Sequence, residues 1–471
     1  MSAAGGSVNG AGFRAKLALA RATGSLSRRS GRGGGTTLPG RLLLRLAPDA
    51  VARLGRRLPE GSTVISATNG KTTTAGMLAA ELRIAGRRPV HNRAGSNMAW
   101  GVATALLEQS GREGLFEVDE AWLPRVVEEL DPRLVVLSNL FRDQLDRYGE
   151  LERLADDWAL MVERRAGRSA FVLNADDPLV ADLGRDDKLR RREGVTYFGI
   201  EDASQALPEL QHAHDAKHCR RCGAPYRYER AFVGHLGHYE CPDCAADRPE
   251  PEIAATAIDL HGMSGSTTTV RTPAGELRIE LPLPGLYNVY NALAALAAAL
   301  QLGVAPEQAV AGLGRVEAVF GRVETIEVAG VPVSILLIKN PAGTNEVLRT
   351  LRLEAAAGQG PRTGVDLWIA LNDGIADGRD VSWIWDADFE LLVGSARRVW
   401  CAGTRAAEIA LRLKYAGLDP SLIEVEGSIA GSLDRAVAGA AGTLFALPTY
   451  TALLELRTLL SSRGLAEDYW R

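Results

Sequence analysis

Two groups of residues in this sequence have the types and spacing to do chemistry. The first is Ser66-Ala67-Thr68-Asn69-Gly70-Lys71-Thr72-Thr73-Thr74. It follows the apolar pair Val64-Ile65 and precedes a segment in which Met77, Leu78, Leu82 and Ile84 recur at helical spacing. A strand, a tight turn and a helix in that order aim unpaired N–H groups and the helix dipole at a phosphate. Lys71 adds a mobile positive charge for the terminal phosphates, and the Thr72 hydroxyl is placed to hold magnesium. The general phosphate-loop pattern asks for Gly five residues before Gly70, where Ile65 stands, so this is a variant of the pattern. Thr68, Asn69, Gly70, Lys71, Thr72 and Thr73 are the expected nucleotide-binding residues.

The second group is Cys219-Arg220-Arg221-Cys222 with Cys241-Pro242-Asp243-Cys244, two CxxC turns separated by a hairpin-length spacer. Two such turns bring four thiolates around one zinc ion, and a closed four-thiolate site is structural because no position is left for water. Paired disulfides are the alternative and do not suit a reduced compartment. His212, His214, His218, His235 and His238 lie nearby. They are read as surface residues or supports of the metal site, not as ligands.

These groups need elements to position them. At 471 residues the chain fits two or three domains. A hydrophobic content of 46% and a charged content of 24% are ordinary for a soluble globular protein, and the net charge of -4 argues against bulk nucleic-acid binding. No apolar run reaches bilayer-spanning length, the best being the Ala-rich stretch 292–300. Arg14, Lys16 and Arg21 interrupt any secretory signal, so a cytoplasmic location is expected. Residues 1–57 are nonetheless basic (Arg14, Lys16, Arg21, Arg28, Arg29, Arg32, Arg41, Arg45, Arg53, Arg56, Arg57) against the single acid Asp49. This stretch reads as a solvated, partly flexible leader, with attraction to an anionic membrane face as the alternative.

Gly33-Gly34-Gly35 marks a break, and the ordered core is expected to begin near Leu38 or Leu42. Residues 58–315 form an α/β central domain with mainly parallel strands, expected at 62–66, 115–118, 134–138 and 170–173. A His-, Cys- and Tyr-rich insertion occupies about 207–250. Strands at 266–271 and 276–281 and a helix at 287–302 follow. Residues 316–471 form a second α/β unit, with strands near 334–338, 367–370, 398–401 and 443–446.

TNGKTTT after a short strand resembles the ATP-binding loop of the Mur ligase superfamily, and further segments resemble it too. Phe116-Glu117-Val118-Asp119-Glu120 resembles the strand-end carboxylate segment. The resemblance assigns Glu117 to magnesium, with Asp119 and Glu120 as neighbours. Asn139-Leu140-Phe141-Arg142-Asp143-Gln144 resembles a segment that carries a metal-binding His in many members, with Gln144 in its place. Asn174-Ala175-Asp176-Asp177-Pro178 resembles the adenine-side turn, which gives Asn174 a contact with the base. Gly285 to Asn291 resembles the motif closing the central domain, and Gly321-Arg322-Val323-Glu324 the hinge whose Arg322 reaches ATP phosphates. Two features depart from many members. No lysine lies between Lys71 and Lys188 to be carbamylated, and the N-terminal stretch is too short for a UDP-sugar domain.

The segment 92–98, RDQLDRYGE, the four-cysteine insertion, Lys339-Asn340-Pro341-Ala342-Gly343 and the stretch Asn372 to Trp383 together resemble the amidating branch of that superfamily. The resemblance implies a Mur ligase-type central P-loop domain with a zinc-ribbon insertion and a C-terminal α/β domain. It implies ATP, Mg2+ and Zn2+ as cofactors and conversion of the α-carboxyl of D-Glu in the lipid II stem peptide to D-isoglutamine. An acyl phosphate would be attacked by ammonia from a GatD-type glutaminase partner at the membrane surface. Lys339 and Asn340 would hold the acyl phosphate or its substrate, although a snorkelling lysine at a strand end remains an alternative for Lys339. Asp380 would complete the partner's Cys-His pair as a catalytic residue, or only brace its own loop. Cys401 has no His after it and is not expected to be a glutaminase nucleophile. The rivals are a folylpolyglutamate synthase-like amino-acid ligase and a zinc-ribbon scaffold with a degenerate nucleotide site.

Overall fold

A computed structural model of the chain describes residues 10–29, 37–92, 96–142, 151–185, 194–211, 214–316, 322–357 and 364–466. In chain order the strands are β1 (Ser62–Ser66), β2 (Val90–His91), β3 (Gly114–Glu117), β4 (Leu134–Leu137), β5 (Ala170–Asn174), β6 (Val195–Ile200), β7 (Arg227–Val233), β8 (Leu236–Glu240), β9 (Ile253–Leu260), β10 (Ser266–Thr272), β11 (Gly275–Leu281), β12 (Arg322–Val328), β13 (Val331–Leu336), β14 (Val365–Ala370), β15 (Ala396–Ala402), β16 (Ile423–Val425) and β17 (Leu444–Pro448).

Nine strands form one sheet in the order β11-β10-β9-β6-β5-β4-β1-β3-β2. β2, β3, β1, β4, β5, β6 and β9 pair in parallel, and β10 and β11 close one edge antiparallel. Every residue of β1 is buried, as expected of a central parallel strand covered on both faces. Successive residues serve opposite cores. Val64, Phe116 and Val135 face helices Leu38–Leu46, Ala99–Glu108 and Leu123–Leu130. Ile65, Leu115 and Val136 face helices Lys71–Ile84 and Leu286–Gln301. The Ala-rich stretch 292–300 belongs to that last helix and is buried against the sheet. Among the described residues no helix is long and apolar enough to cross a membrane.

The second sheet runs β12-β13-β17-β14-β15-β16, parallel except for the β12–β13 pair. Cys401 of β15 is fully buried in one of its two cores, and burial pushes its thiol up to about 12, which disfavours the thiolate. β7 and β8 stand apart as a two-stranded ribbon.

The basic N-terminal stretch differs from the expected flexible leader. A helix runs from Ala11 to Arg29, and Phe13, Leu17 and Ala20 are buried in the same core as Leu43, Val51 and Trp158. Their i, i+4, i+7 spacing is a helical stripe that the surrounding arginines conceal in composition. Arg21 donates from Nε and Nη2 to the Leu107 carbonyl at 3.0 and 2.8 Å, and the Arg53 guanidinium lies 4.9 Å from the Phe13 ring. Gly33-Gly34-Gly35 lies outside the described residues.

Candidate active site

β1 delivers the loop Ala67–Gly70 to the C-terminal edge of the sheet, where open α/β sheets bind ligands. Gly70 opens the helix at φ 91°. A Cβ there would stand 2.0 Å from Asn291 Oδ1, so both the backbone and the space require glycine. The segment after β4 braces the loop. The Asn139 side chain accepts from Asn69 N at 2.9 Å and donates to Asn69 O at 2.9 Å, and Phe141 N donates to Thr68 Oγ1 at 3.0 Å. Thr72 and Thr73 stand in the first helical turn, half-buried and buried respectively.

Glu117 ends β3 beside β1, in register with Ile65, and its side chain is buried. Asn92 holds its backbone by accepting from Glu117 N at 3.0 Å and donating to Glu117 O at 2.8 Å. Glu120 is the residue that meets Lys71. Lys71 Nζ lies 2.7 Å from Glu120 Oε2 and donates to the Ala67 carbonyl at 2.5 Å. Burial opposes ionisation of Glu120, but the charges of Lys71 and then Lys339 outweigh it and hold the carboxyl below its ordinary range. Lys71 is therefore buried within an ion pair and is not a solvated loop lysine.

Lys339 and Asn340 reach this loop from the C-terminal unit. Lys339 Nζ donates to Thr68 O at 3.1 Å, and Asn340 pairs with the Asn69 side chain. Asn340 also accepts from Gly343 N at 2.9 Å at the start of helix Pro341–Ala357, so a second helix N-terminus faces the loop. Between the two units lies a cleft. Asn69, Gly70, Asn139, Asn291 and Lys339 make one part of its wall polar, while Phe141, Val233, Leu236, Tyr290, Leu336 and Val347 make the rest apolar or aromatic.

Asn174 ends β5. Its side chain is fully buried, Oδ1 accepts from Asp176 N at 3.0 Å within its own turn, and it does not line the cleft. Arg322 opens β12, but its side chain lies outside the described residues, as does Gln144.

Cys219, Cys222, Cys241 and Cys244 present their sulfurs within 4.8 Å of one another. Three of the separations are 3.4, 3.5 and 3.6 Å, close to the roughly 3.8 Å edge of a tetrahedron with 2.3 Å zinc–sulfur bonds. The four cysteines are free of disulfides. Burial disfavours the Cys219 thiolate, but the Cys222 and Arg221 amides outweigh it and bring the thiol down to about 7. The donor set fits zinc. No histidine belongs to the cluster among the described residues. His235 is no surface residue: it is fully buried, 3.4 Å from Asp177 Oδ2, with its ring centroid 4.6 Å from that of Phe141 and tilted against it. His212 lies outside the described residues.

Asp380 is exposed on the loop after β14, and its Oδ1 accepts from Ser382 N at 2.8 Å, which holds the carboxyl below its ordinary range. The loop is anchored by Asp377, buried against Thr451 N at 2.8 Å. Asn139, Asn291 and Asp377 had no assigned role in the sequence. The first two lie in recognisable motifs, but only the fold shows what they touch.

The Mur ligase middle domain model matches residues 65–239 and 245–299, and the MurT ligase C-terminal model matches residues 337–453. A Streptococcus pneumoniae (strain ATCC BAA-255 / R6) relative, "Lipid II isoglutaminyl synthase (glutamine-hydrolyzing) subunit MurT", is 32% identical over 440 residues, covering 92% of this chain and 94% of the relative. A relative of the same name from Staphylococcus aureus (strain N315) is 31% identical over 442 residues, with the same coverage. Among solved structures, a pseudomurein peptide ligase type C from Methanothermus fervidus superposes with a TM-score of 0.65 at 24% identity, covering 87% of this chain and 80% of that one. MurF ligase from Thermotoga maritima in complex with ADP gives 0.60 at 14% identity, covering 89% and 85%. These structural likenesses concern the fold.

Proposed function

The chain belongs to the Mur ligase superfamily, in its MurT family, and on that premise we propose that it amidates the α-carboxyl of D-Glu in the lipid II stem peptide, with ATP as the activating substrate. The observation that carries this reading is the meeting of Lys71, Glu120, Lys339 and Asn340 at one phosphate-type loop between two α/β units.

A carboxylate is a poor electrophile. Its oxygen takes the γ-phosphoryl group of ATP, ADP leaves, and ammonia adds to the resulting acyl phosphate carbonyl. Phosphate then departs, and the nitrogen releases a proton. The amides at the start of helix Lys71–Ile84, the Lys71 ammonium and Arg322 stabilise charge on the transferring group, the main task in phosphoryl transfer. Thr72 and Glu117 would hold magnesium, which neutralises phosphate charge when bound. Lys339 and Asn340 hold the acyl phosphate or its substrate.

Ammonia comes from a GatD-type glutaminase partner. Asp380 orients that partner's His and stabilises the imidazolium, as the acid does in other triads; its exposure suits a residue lent to another chain. The complex works in the cytoplasm, and the basic N-terminal helices give it peripheral contact with the inner membrane face. Mass analysis of lipid II incubated with this chain, ATP and ammonia tests the reading. The expected product is lighter by the difference between a hydroxyl and an amino group. An added amino acid instead would favour the amino-acid ligase rival.

A further inference from the structure

We propose that the zinc-held ribbon is part of the nucleotide site, with Val233 and Leu236 at its tip positioning the nucleobase. The inference rests on reading the cleft as an ATP site.

The Cys219–Cys222 turn precedes β7 and the Cys241–Cys244 turn follows β8, so the four sulfurs sit at the base of the hairpin and Gly234 and His235 at its turn. Leu236 lies five residues from Cys241, about 17 Å along a strand. The tip does not point into solvent. Val233 and Leu236 are buried and line the cleft that Gly70 and Lys339 also line. His235 is enclosed against Phe141, and Gly237 N donates to the Asp176 carbonyl at 2.9 Å. From the other unit, Arg349 Nη1 donates to Phe232 O at 2.7 Å.

The chemistry of the wall divides the cleft. Phosphates belong with Gly70 and Lys339, where amides and positive charge lie; an aromatic base belongs against the apolar surface of Val233, Leu236 and Tyr290. The ribbon needs its base fastened to hold that surface in place. The tip packs into the central core through Phe232, Val233 and Leu236, but a two-stranded ribbon is marginal by itself, and the core around the cysteines at its base consists of little more than Cys219, Ala224, Cys241 and Ala246. A metal site supplies folding energy where the apolar core cannot. Zinc at one end of the hairpin therefore acts with the packing of the tip to hold the base-binding wall at the other.

The test measures binding of a fluorescent, non-hydrolysable ATP analogue to the full chain, with zinc content and circular dichroism followed in parallel. Leu236→Ala and Val233→Ala, each loaded with zinc, are expected to bind the analogue on the order of tenfold more weakly, while inorganic triphosphate, which has no base, competes as well as before. Zinc removal by a chelator is expected to produce the same selective loss, restored on adding zinc back. Unchanged analogue affinity in both variants, or equal weakening of analogue and triphosphate, overturns the proposal. No analogue binding by the parent protein would overturn the ATP reading itself, a result distinct from the first two.

Discussion

The side-chain amides of Asn69 and Asn340 face one another with both hydrogen bonds made: Asn69 Nδ2 donates to Asn340 Oδ1 at 3.3 Å, and Asn340 Nδ2 donates to Asn69 Oδ1 at 3.0 Å. One residue belongs to the loop after β1 and the other to the start of a helix in the second unit, so the pair fixes how the two halves of the cleft meet. Asn340→Ala removes both bonds and the contact with Gly343 N. A loss of about 1–2 kcal/mol in stability is expected, with a raised KM for ATP. Denaturant titration and steady-state kinetics check this, and an unaltered KM would separate the pair from nucleotide binding.

Lys71→Ala is expected to abolish ATP-dependent amidation, but it does not leave the fold untouched. It strands the buried Glu120 carboxylate, and breaking one side of a buried pair costs roughly 3–5 kcal/mol; Lys339 offsets part of that. Adding Glu120→Gln to Lys71→Ala should recover most of the stability and none of the turnover. Recovery of turnover in the double variant would remove Lys71 from the chemistry.

Glu81 gives a pH dependence unrelated to catalysis. It is fully buried in helix Lys71–Ile84, where a Cβ on Gly312 would come within 2.5 Å of its Cα, and burial raises its carboxyl well above the ordinary value. The folded state therefore keeps a proton that the unfolded state loses near pH 4.3. Its contribution to stability is greatest below that pH and declines as pH rises toward the folded value. Glu81→Gln should be more stable than the parent at pH 8 and lose much of the difference at pH 4.5. Denaturation at the two pH values checks the sign; an advantage confined to the acidic side would refute it.

Asp380→Asn is expected to lower glutamine-driven amidation by orders of magnitude while free ammonia still supports the reaction. Among the described residues the side chain bonds locally, to Ser382, so a change of fold is not expected. Equal loss with both nitrogen sources would place Asp380 in the ligase site, and full glutamine use would exclude a shared triad. Measuring product with each nitrogen source separates these outcomes.

Strands built from β-branched and aliphatic runs were legible from residue type alone, and β1, β4 and β14 lie where the pattern puts them. β9 was not, because Ile253-Ala254-Ala255-Thr256-Ala257 is alanine-rich and alanine has little strand preference; pairing between β6 and β10 makes it a strand. At the site, the strand, turn and helix around Gly70 and the clustering of the cysteine turns were legible because each motif is local. The Lys71–Glu120 pair was not, since nothing in residue spacing says which of Glu117, Asp119 and Glu120 faces the lysine. Resemblance conveyed the position of Asn174 but not that its Oδ1 accepts from Asp176 N within its own turn.

The first helix meets its partners late during synthesis. Arg21 and the Leu107 carbonyl it binds are 86 residues apart, and the core that takes Phe13 and Leu17 includes side chains as distant as Trp158. Until those residues leave the ribosome, an apolar stripe has no cover. The arginines and lysine along the helix then act on the nascent chain: mutual repulsion and hydration discourage two unfinished chains from joining through their bare stripes. Removing that charge would harm yield at the moment of synthesis more than the stability of the finished molecule.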